Sequence, residues 1–116
     1  MNSNRFVDTN ILIYAYSKDE PDKQEKAINL MCDKNLFLST QVINEYTWVM
    51  LKKYKIQVPI VMDIVNNLFK IYKVLLVDEE VIMSALNVCQ KYQYSYWDSL
   101  MIATALANRL SFYQTY

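Results

Sequence analysis

The sequence predicts an α/β domain built on a mostly parallel sheet. Short apolar runs alternate with stretches in which apolar residues recur at helical spacing, and no linker, repeat or low-complexity segment interrupts the alternation. The chain has 116 residues, of which 53% are hydrophobic, and this is enough for one buried core but not for two. We therefore expect residues 1–116 to form one domain.

Four apolar runs are the predicted strands, and two helices separate each strand from the next. The strands are expected at residues 5–7, 36–38, 73–77 and 110–113. The helices are expected at residues 11–16, 21–32, 41–53, 59–72, 78–92 and 99–107. Asn108 is predicted to take the left-handed conformation that ends the last helix. The core-facing stripe of the fourth helix is predicted to be Ile60, Ile64, Leu68 and Ile71.

The chain contains no glycine and no histidine. Without glycine, neither the phosphate-binding P-loop nor the dinucleotide-binding fingerprint can be present. Without histidine, Ser-His-Asp and Cys-His pairs, histidine general bases and histidine zinc ligands are excluded. An enzyme of this composition would rely on carboxylates, which act mainly by holding Mg²⁺ or Mn²⁺ because hard cations prefer oxygen ligands.

The charges and cysteines are typical of a cytoplasmic protein. Twelve basic and twelve acidic residues cancel, the N-terminus lacks the pattern of a secretory signal, and no apolar run approaches the roughly 18 residues of a membrane helix. Cys32 and Cys89 match no metal-ligand spacing and lie within helical apolar patterns. We therefore predict that both cysteines are small buried hydrophobes in a reducing compartment, and that the protein is cytoplasmic.

Three acidic residues lie just after a predicted strand or at the start of a predicted helix, and each also has a purely structural interpretation. Asp8 follows the first strand and can cap the helix after it. Glu45 lies near the start of the third helix, where a surface acid complements the helix dipole. Ser95 and Asp98 have the spacing of a capping box, with Asp in the place usually held by Glu or Gln.

Considered together, the three acids favour a metal site. The carboxyl ends of parallel strands gather at one edge of a sheet, where ligands bind. Glu45 and Asp98 adjoin apolar stripes, and neither has a lysine or arginine three or four residues later. Clustered acids without basic partners repel one another, and a divalent cation relieves that repulsion. By contrast, Asp19 and Glu20 are interleaved with lysines, which indicates a solvated face.

Three segments carry a resemblance to a known family: residues 6–14 (FVDTNILIY), 38–45 (LSTQVINE) and 96–105 (YWDSLMIATA). They are similar, in order and separation, to the three motif blocks of PIN-domain ribonucleases, and most of all to the VapC-like toxins of toxin-antitoxin pairs. The resemblance implies a PIN-like three-layer α/β/α fold with a central sheet of about four strands. It also implies an endoribonuclease that uses Mg²⁺ or Mn²⁺ to hydrolyse RNA phosphodiester bonds.

By this resemblance Asp8, Glu45 and Asp98 are the catalytic acids and metal ligands, and Thr9 and Asn10 support them. The implied partners are an RNA substrate, a cognate antitoxin protein and a second copy of the chain in a homodimer. The family usually has one more acidic or polar residue after the last strand, where this sequence ends, and Thr115 takes the small polar position before it. We therefore expect an incomplete final strand and tail, which would weaken cation binding.

Two other interpretations stay open. A catalytically impaired PIN-fold module would act through antitoxin binding or self-association, and the ten tyrosines and six methionines suit an interface. A phosphorylated receiver-type signalling domain also places Asp at strand ends, but the acid pair it needs after the first strand is absent. The basic residues, among them Lys52, Lys53 and Lys55, form no dense stripe, so the expected general affinity for RNA is low.

Overall fold

The computed structural model describes residues 5–33, 35–109 and, as backbone, 111–113. The four strands are β1 (Arg5–Val7), β2 (Leu36–Ser39), β3 (Lys73–Leu75) and β4 (Ser111–Tyr113). The six helices are α1 (Thr9–Tyr16), α2 (Pro21–Met31), α3 (Thr40–Lys52), α4 (Val58–Ile71), α5 (Glu79–Tyr92) and α6 (Tyr96–Ala107). The predicted order of elements is confirmed, although β3 ends two residues before the predicted position.

The sheet has the order β3-β2-β1-β4, and all neighbouring strands are parallel. The chain crosses the sheet in one direction from β1 to β3 and then returns past β1 to form β4. Right-handed crossovers therefore place α1 to α4 on one face and α5 and α6 on the other, since the direction of travel reverses. The predicted three-layer α/β/α arrangement is confirmed, and the strand order reverses beside β1.

Apolar side chains are buried on both faces of the sheet, as parallel strands covered by helices require. Phe6 and Leu38 of the central strands are fully buried and belong to the main core, together with Val42 and Met50 of α3. A second cluster joins Val81 and Ala85 of α5 to Leu100 and Ala103 of α6. These two clusters fix α3 and α6 against neighbouring elements at the edge where β1 ends.

The side of α4 that was predicted to face the core was wrong by part of a helical turn. Val61 is buried, whereas Ile60 is 54% exposed and Ile71 is 47% exposed. Ile64 and Leu68 pack against the main core, as predicted. Because Ile60 and Val61 are adjacent and both apolar, two overlapping stripes fit the spacing, and only packing against α3 selects the second.

The cysteine prediction was also wrong. Cys32 follows the end of α2 and is exposed, and Cys89 is only partly buried. The Cys89 thiol donates a hydrogen bond to the Tyr94 carbonyl at 3.1 Å, so its polar contact is with the loop that ends α5. Both cysteines do lie in or beside the predicted helices. Each is near a helix end, however, where its side chain is not fully covered by other residues.

Left-handed backbone conformations occur here without glycine. Gln93 ends α5 with φ of 59°, and Arg109 follows α6 with φ of 55°. Asn108 has φ of −110°, so the prediction of a left-handed Asn108 was wrong by one residue. Within the described parts of the chain, no helix has the length and apolarity needed to cross a bilayer.

Candidate active site

Asp8 lies where β1 ends and caps α1. Its Oδ1 accepts hydrogen bonds from the backbone N–H groups of Asn10 at 3.1 Å and Ile11 at 3.3 Å. The side chain is 7% exposed, and the backbone is extended, as an N-cap requires. Asp8 is therefore a helix cap, as one of the two interpretations predicted. If it also binds a ligand, it must do so while it caps α1.

Glu45 joins two elements rather than facing open solvent. It lies in the second turn of α3, whose first turn is capped by the Ser39 hydroxyl, which accepts from the Val42 N–H at 3.1 Å. The Thr9 hydroxyl donates a hydrogen bond to Glu45 Oε1. Gln41 Nε2 lies 3.4 Å from Glu45 Oε2. The half-buried carboxylate is thus held between α1 and α3, which the dipole interpretation alone does not explain.

Asp98 forms half of the predicted capping box. Ser95 Oγ accepts a hydrogen bond from the Asp98 N–H at 3.1 Å and caps α6. Among the described residues, no donor reaches the Asp98 carboxylate, so the reciprocal half of the box does not form. The side chain is exposed, and its carboxylate is therefore available to a ligand.

One cavity brings the three acids together. It has a volume of about 810 Å³ and is lined by Asp8, Glu45 and Asp98, with the predicted supporting residues Thr9 and Asn10 beside them. No lysine or arginine is among its described lining residues. The cavity opens at the carboxyl end of β1, where the strand order reverses, and ligands of open α/β sheets bind at such a point.

The oxygen atoms that line the cavity suit a hard divalent cation, but the side chains that carry them are widely separated. Three carboxylates in one cavity supply the oxygen ligands that Mg²⁺ and Mn²⁺ prefer. Within the described residues, however, no three acidic, histidine or cysteine side chains are close enough together to form a metal site. The residue types therefore fit the cation. The three carboxylates, however, lie too far apart in this structure to bind one ion together.

Gln41 is a site residue that the sequence interpretation missed. Its amide nitrogen contacts Glu45 and also donates to the Trp97 carbonyl at 3.2 Å, so it connects α3 to the residue before Asp98. Gln41 is 7% exposed, and its Oε1 has no hydrogen-bond partner among the described residues. The spacing of four residues between Gln41 and Glu45 was a usable signal, since it places both side chains on one helix face.

The neighbouring side of α3 is anchored in the core. Tyr46 follows Glu45 directly and is 5% exposed. Burial raises the pKa of the Tyr46 phenol to about 12, and the nearby Tyr16 adds a smaller contribution in the same direction. A ring held this firmly fixes the rotation of α3, and with it the direction in which Glu45 points.

Thr115, the remaining predicted supporting residue, lies outside the described residues, so its role stays a prediction. The other assignments meet at one place: Asp8, Glu45 and Asp98 come from three elements that are far apart in sequence and line one cavity. The protein is therefore of the α/β class, with a parallel sheet and an acidic cavity at the carboxyl ends of its strands.

Sequence comparison gives the family within that class. The sequence model of the PIN domain matches residues 5–116, so the chain belongs to the PIN domain family. A search of curated protein sequences finds no significant match.

Solved structures share the fold over most of their length. VapC20 of Mycobacterium tuberculosis, a Sarcin-Ricin loop cleaving toxin, superposes with a TM-score of 0.74 at 19% identity, over 92% of this chain and 85% of that one. A toxin-antitoxin complex from Klebsiella pneumoniae gives 0.71 at 19% identity, covering 94% and 83% of the two chains. VapBC2 from Rickettsia felis, bound to a DNA fragment from its promoter, gives 0.64 at 14% identity, covering 93% and 84%. At these identities the similarity shows the fold.

Proposed function

We propose that this protein is a divalent-metal-dependent endoribonuclease that hydrolyses RNA phosphodiester bonds as the toxin of a toxin-antitoxin system. The observation that carries the proposal is the meeting of Asp8, Glu45 and Asp98 in one cavity that has no basic lining residue among those described. Membership of the PIN domain family and the fold shared with toxin structures support the same conclusion. The proposed place of action is the cytoplasm, where cellular RNA is accessible.

The side chains of the cavity have distinct parts in this proposal. Asp8 contributes a carboxylate whose position is fixed by its cap on α1. Glu45 is oriented by hydrogen bonds from Thr9 and Gln41, so little ordering remains to be done when a ligand arrives. Asp98 has an exposed side chain, and it is the acid that can turn into the cavity to complete a ligand set.

Asp8, Glu45 and Asp98 would hold the Mg²⁺ or Mn²⁺. The cation would activate a water molecule by lowering its pKa and would neutralise charge that develops on the phosphate. The protein supplies the negative charge that retains the cation and the fixed direction of two of its three acids. Repulsion among three acids that share one cavity favours binding of the cation.

The proposal is tested by incubating structured RNA with the purified protein in Mg²⁺ or Mn²⁺, in EDTA, and with the variant Asp98→Asn. We expect cleavage that EDTA abolishes and that the variant reduces strongly. Asp63→Asn is the matched control, because Asp63 is an exposed acid of α4 that does not line this cavity. Cleavage that continues in EDTA, or that survives equally in Asp98→Asn, would contradict the metal-carboxylate mechanism.

We also propose a cognate antitoxin as protein partner. Two exposed apolar side chains lie one turn apart on the same face of α4, where Val58 is 56% and Met62 64% exposed, and both line a second groove. An apolar groove of this kind is typical of a protein interface. Solved structures with this fold include a toxin-antitoxin complex and a VapBC2 complex. The double variant Val58→Asp, Met62→Asp should lose binding to the purified antitoxin while keeping RNA cleavage, and unchanged antitoxin affinity would refute this surface. A homodimer stays a prediction.

A further inference from the structure

The two tryptophans of the chain, Trp48 and Trp97, both lie at the mouth of the acidic cavity. Trp48 is 62% exposed and Trp97 is 58% exposed. A buried aromatic ring typically removes roughly 150–250 Å² from water, so leaving two indoles open sacrifices much of that stabilisation. Exposure of both tryptophans beside the same cavity therefore indicates a ligand with flat apolar surfaces.

Each indole is tied to one of the acids. Trp48 follows Glu45 by three residues on α3, so the two side chains share a helix face. Trp97 precedes Asp98 directly, and its carbonyl accepts a hydrogen bond from Gln41 Nε2 at 3.2 Å. The Tyr96 ring packs edge-on against the Trp97 ring with centroids 5.4 Å apart. A ligand in contact with both indoles would thus lie across the carboxylates.

A positive charge lies beside one of the two indoles. Lys52 Nζ lies over the Trp48 ring, 5.2 Å from its centre. The described lining of the cavity itself contains three acids and no basic side chain, so it repels a phosphate unless a cation is bound. A phosphate would therefore be attracted to Lys52, while its base stacks on the face of the Trp48 ring opposite the ammonium group.

Gln41 gives an independent indication of a ligand. It is 7% exposed and lines the cavity, and its amide nitrogen already contacts Glu45 and the Trp97 carbonyl. Its Oε1 is buried and receives no hydrogen bond from any described residue. A buried acceptor without a donor is unfavourable, so a ligand that brings an N–H or O–H group would be favoured here. Nucleotides carry such donors on the ribose and on the base edges.

We propose that the mouth of the cavity binds unpaired nucleotides, whose bases stack on Trp48 and Trp97 and which donate a hydrogen bond to Gln41 Oε1. The inference rests on the proposed RNA cleavage and adds the side chains that would hold the bases next to the cut. Bases of a duplex stack on one another and cannot cover a protein ring, whereas unpaired bases can.

The test uses the fluorescence of the two tryptophans in EDTA, where binding is measured without cleavage. A ten-nucleotide single-stranded RNA should quench the emission of the wild-type protein, and the same sequence in a duplex should quench it far less. Trp48→Ala and Trp97→Ala should each bind the single strand roughly 5- to 150-fold more weakly, the range expected for loss of one stacked base, as followed by fluorescence anisotropy of a labelled oligonucleotide. Trp48→Phe and Trp97→Phe should recover most of the affinity, because phenylalanine also stacks.

Phe69→Ala is the matched control, since Phe69 is an aromatic residue of α4 that is 51% exposed and lies outside this cavity. Circular dichroism confirms that each variant is folded. Equal affinity for single strand and duplex, or unchanged affinity in both alanine variants, would overturn the proposal. Loss of antitoxin binding without loss of RNA binding in these variants would also overturn it and assign the indoles to a protein partner.

The two proposals fail separately. A wild-type protein that binds single strands through its tryptophans but cuts no RNA in Mg²⁺ or Mn²⁺ would refute the proposed function and leave this inference standing. A protein that cuts RNA with the same rate in Trp48→Ala and Trp97→Ala would retain the function and refute the inference.

Discussion

Replacing Asp8 by asparagine separates its two roles, because asparagine keeps the cap and removes the charge. Asp8 Oδ1 accepts two backbone hydrogen bonds at the start of α1, and an asparagine oxygen can accept the same two. Asn and Asp are about equally good N-caps, whereas alanine at a cap costs about 0.5–2 kcal/mol. Loss of the charge removes about 0.3–1 kcal/mol of interaction with the helix dipole, but it also relieves repulsion from the other acids. We therefore expect Asp8→Asn to change the free energy of unfolding by less than about 1 kcal/mol.

The effect on cleavage should be much larger. A cation held by carboxylates stabilises the transition state by several kcal/mol, and 1.4 kcal/mol is about tenfold in rate, so we expect cleavage to fall roughly 100-fold or more. Urea unfolding measures the stability of Asp8→Asn and Asp8→Ala, and cleavage of one RNA in Mn²⁺ measures the rate. Asp78 offers a matched control: it caps α5 by accepting from the Val81 N–H at 3.0 Å, and it does not line the cavity. Cleavage by Asp8→Asn within a fewfold of wild type would show that Asp8 is only a cap and would refute the reasoning.

Two further predictions concern charge on α3. Gln41→Glu puts a carboxylate where an amide nitrogen now lies 3.4 Å from Glu45 Oε2. At an effective dielectric constant of 20 this repulsion is about 5 kcal/mol, and partial exposure of Glu45 reduces it, so we expect a loss of about 2 kcal/mol at pH 7. The introduced carboxyl has a raised pKa, so the loss should shrink as the pH falls toward 4 in urea unfolding, and an equal loss at pH 5 and pH 7 would contradict it. For Tyr46, whose pKa is raised to about 12, the phenol is neutral in both states below pH 10, and above pH 10 the unfolded chain loses its proton first. Stability should therefore fall by about 2 kcal/mol more in wild type than in Tyr46→Phe as the pH rises from 10 to 12, and parallel curves in denaturant would refute the assignment.

The order of elements was predictable from the sequence because each strand is a continuous apolar run and each helix has its own spacing. β1 and β2 are covered on both faces, and their residues Phe6, Val7, Leu36 and Leu38 are accordingly apolar without alternation. The direction that α4 faces was not predictable, since Ile60 and Val61 fit two stripes equally well. The choice between them depends on how α4 packs against α3, and the spacing of apolar residues within α4 carries no information about that packing.

The meeting of the three acids in one cavity was predictable because each follows a strand or begins a helix, but the contacts that orient them were not. The Thr9 hydroxyl and Glu45 are 36 residues apart and meet only through the packing of α1 on α3. Gln41 reaches Trp97 across 56 residues, and no local pattern indicates that bond. Local sequence also could not decide whether Asp8 is a helix cap or a residue of the cavity, because the two are not alternatives. In the structure Asp8 caps α1 and also lines the cavity.

Binding of Mn²⁺, measured by isothermal titration calorimetry in the absence of RNA, tests the central claim most directly. The wild-type protein should bind the ion, and Glu45→Gln and Asp98→Asn should each bind it roughly tenfold or more weakly, because each removes one anionic ligand. Asp63→Asn should bind as wild type does. Wild-type protein that takes up no Mn²⁺, or that binds it as tightly after loss of Glu45 and Asp98 as before, would contradict the claim that these three acids form a metal site.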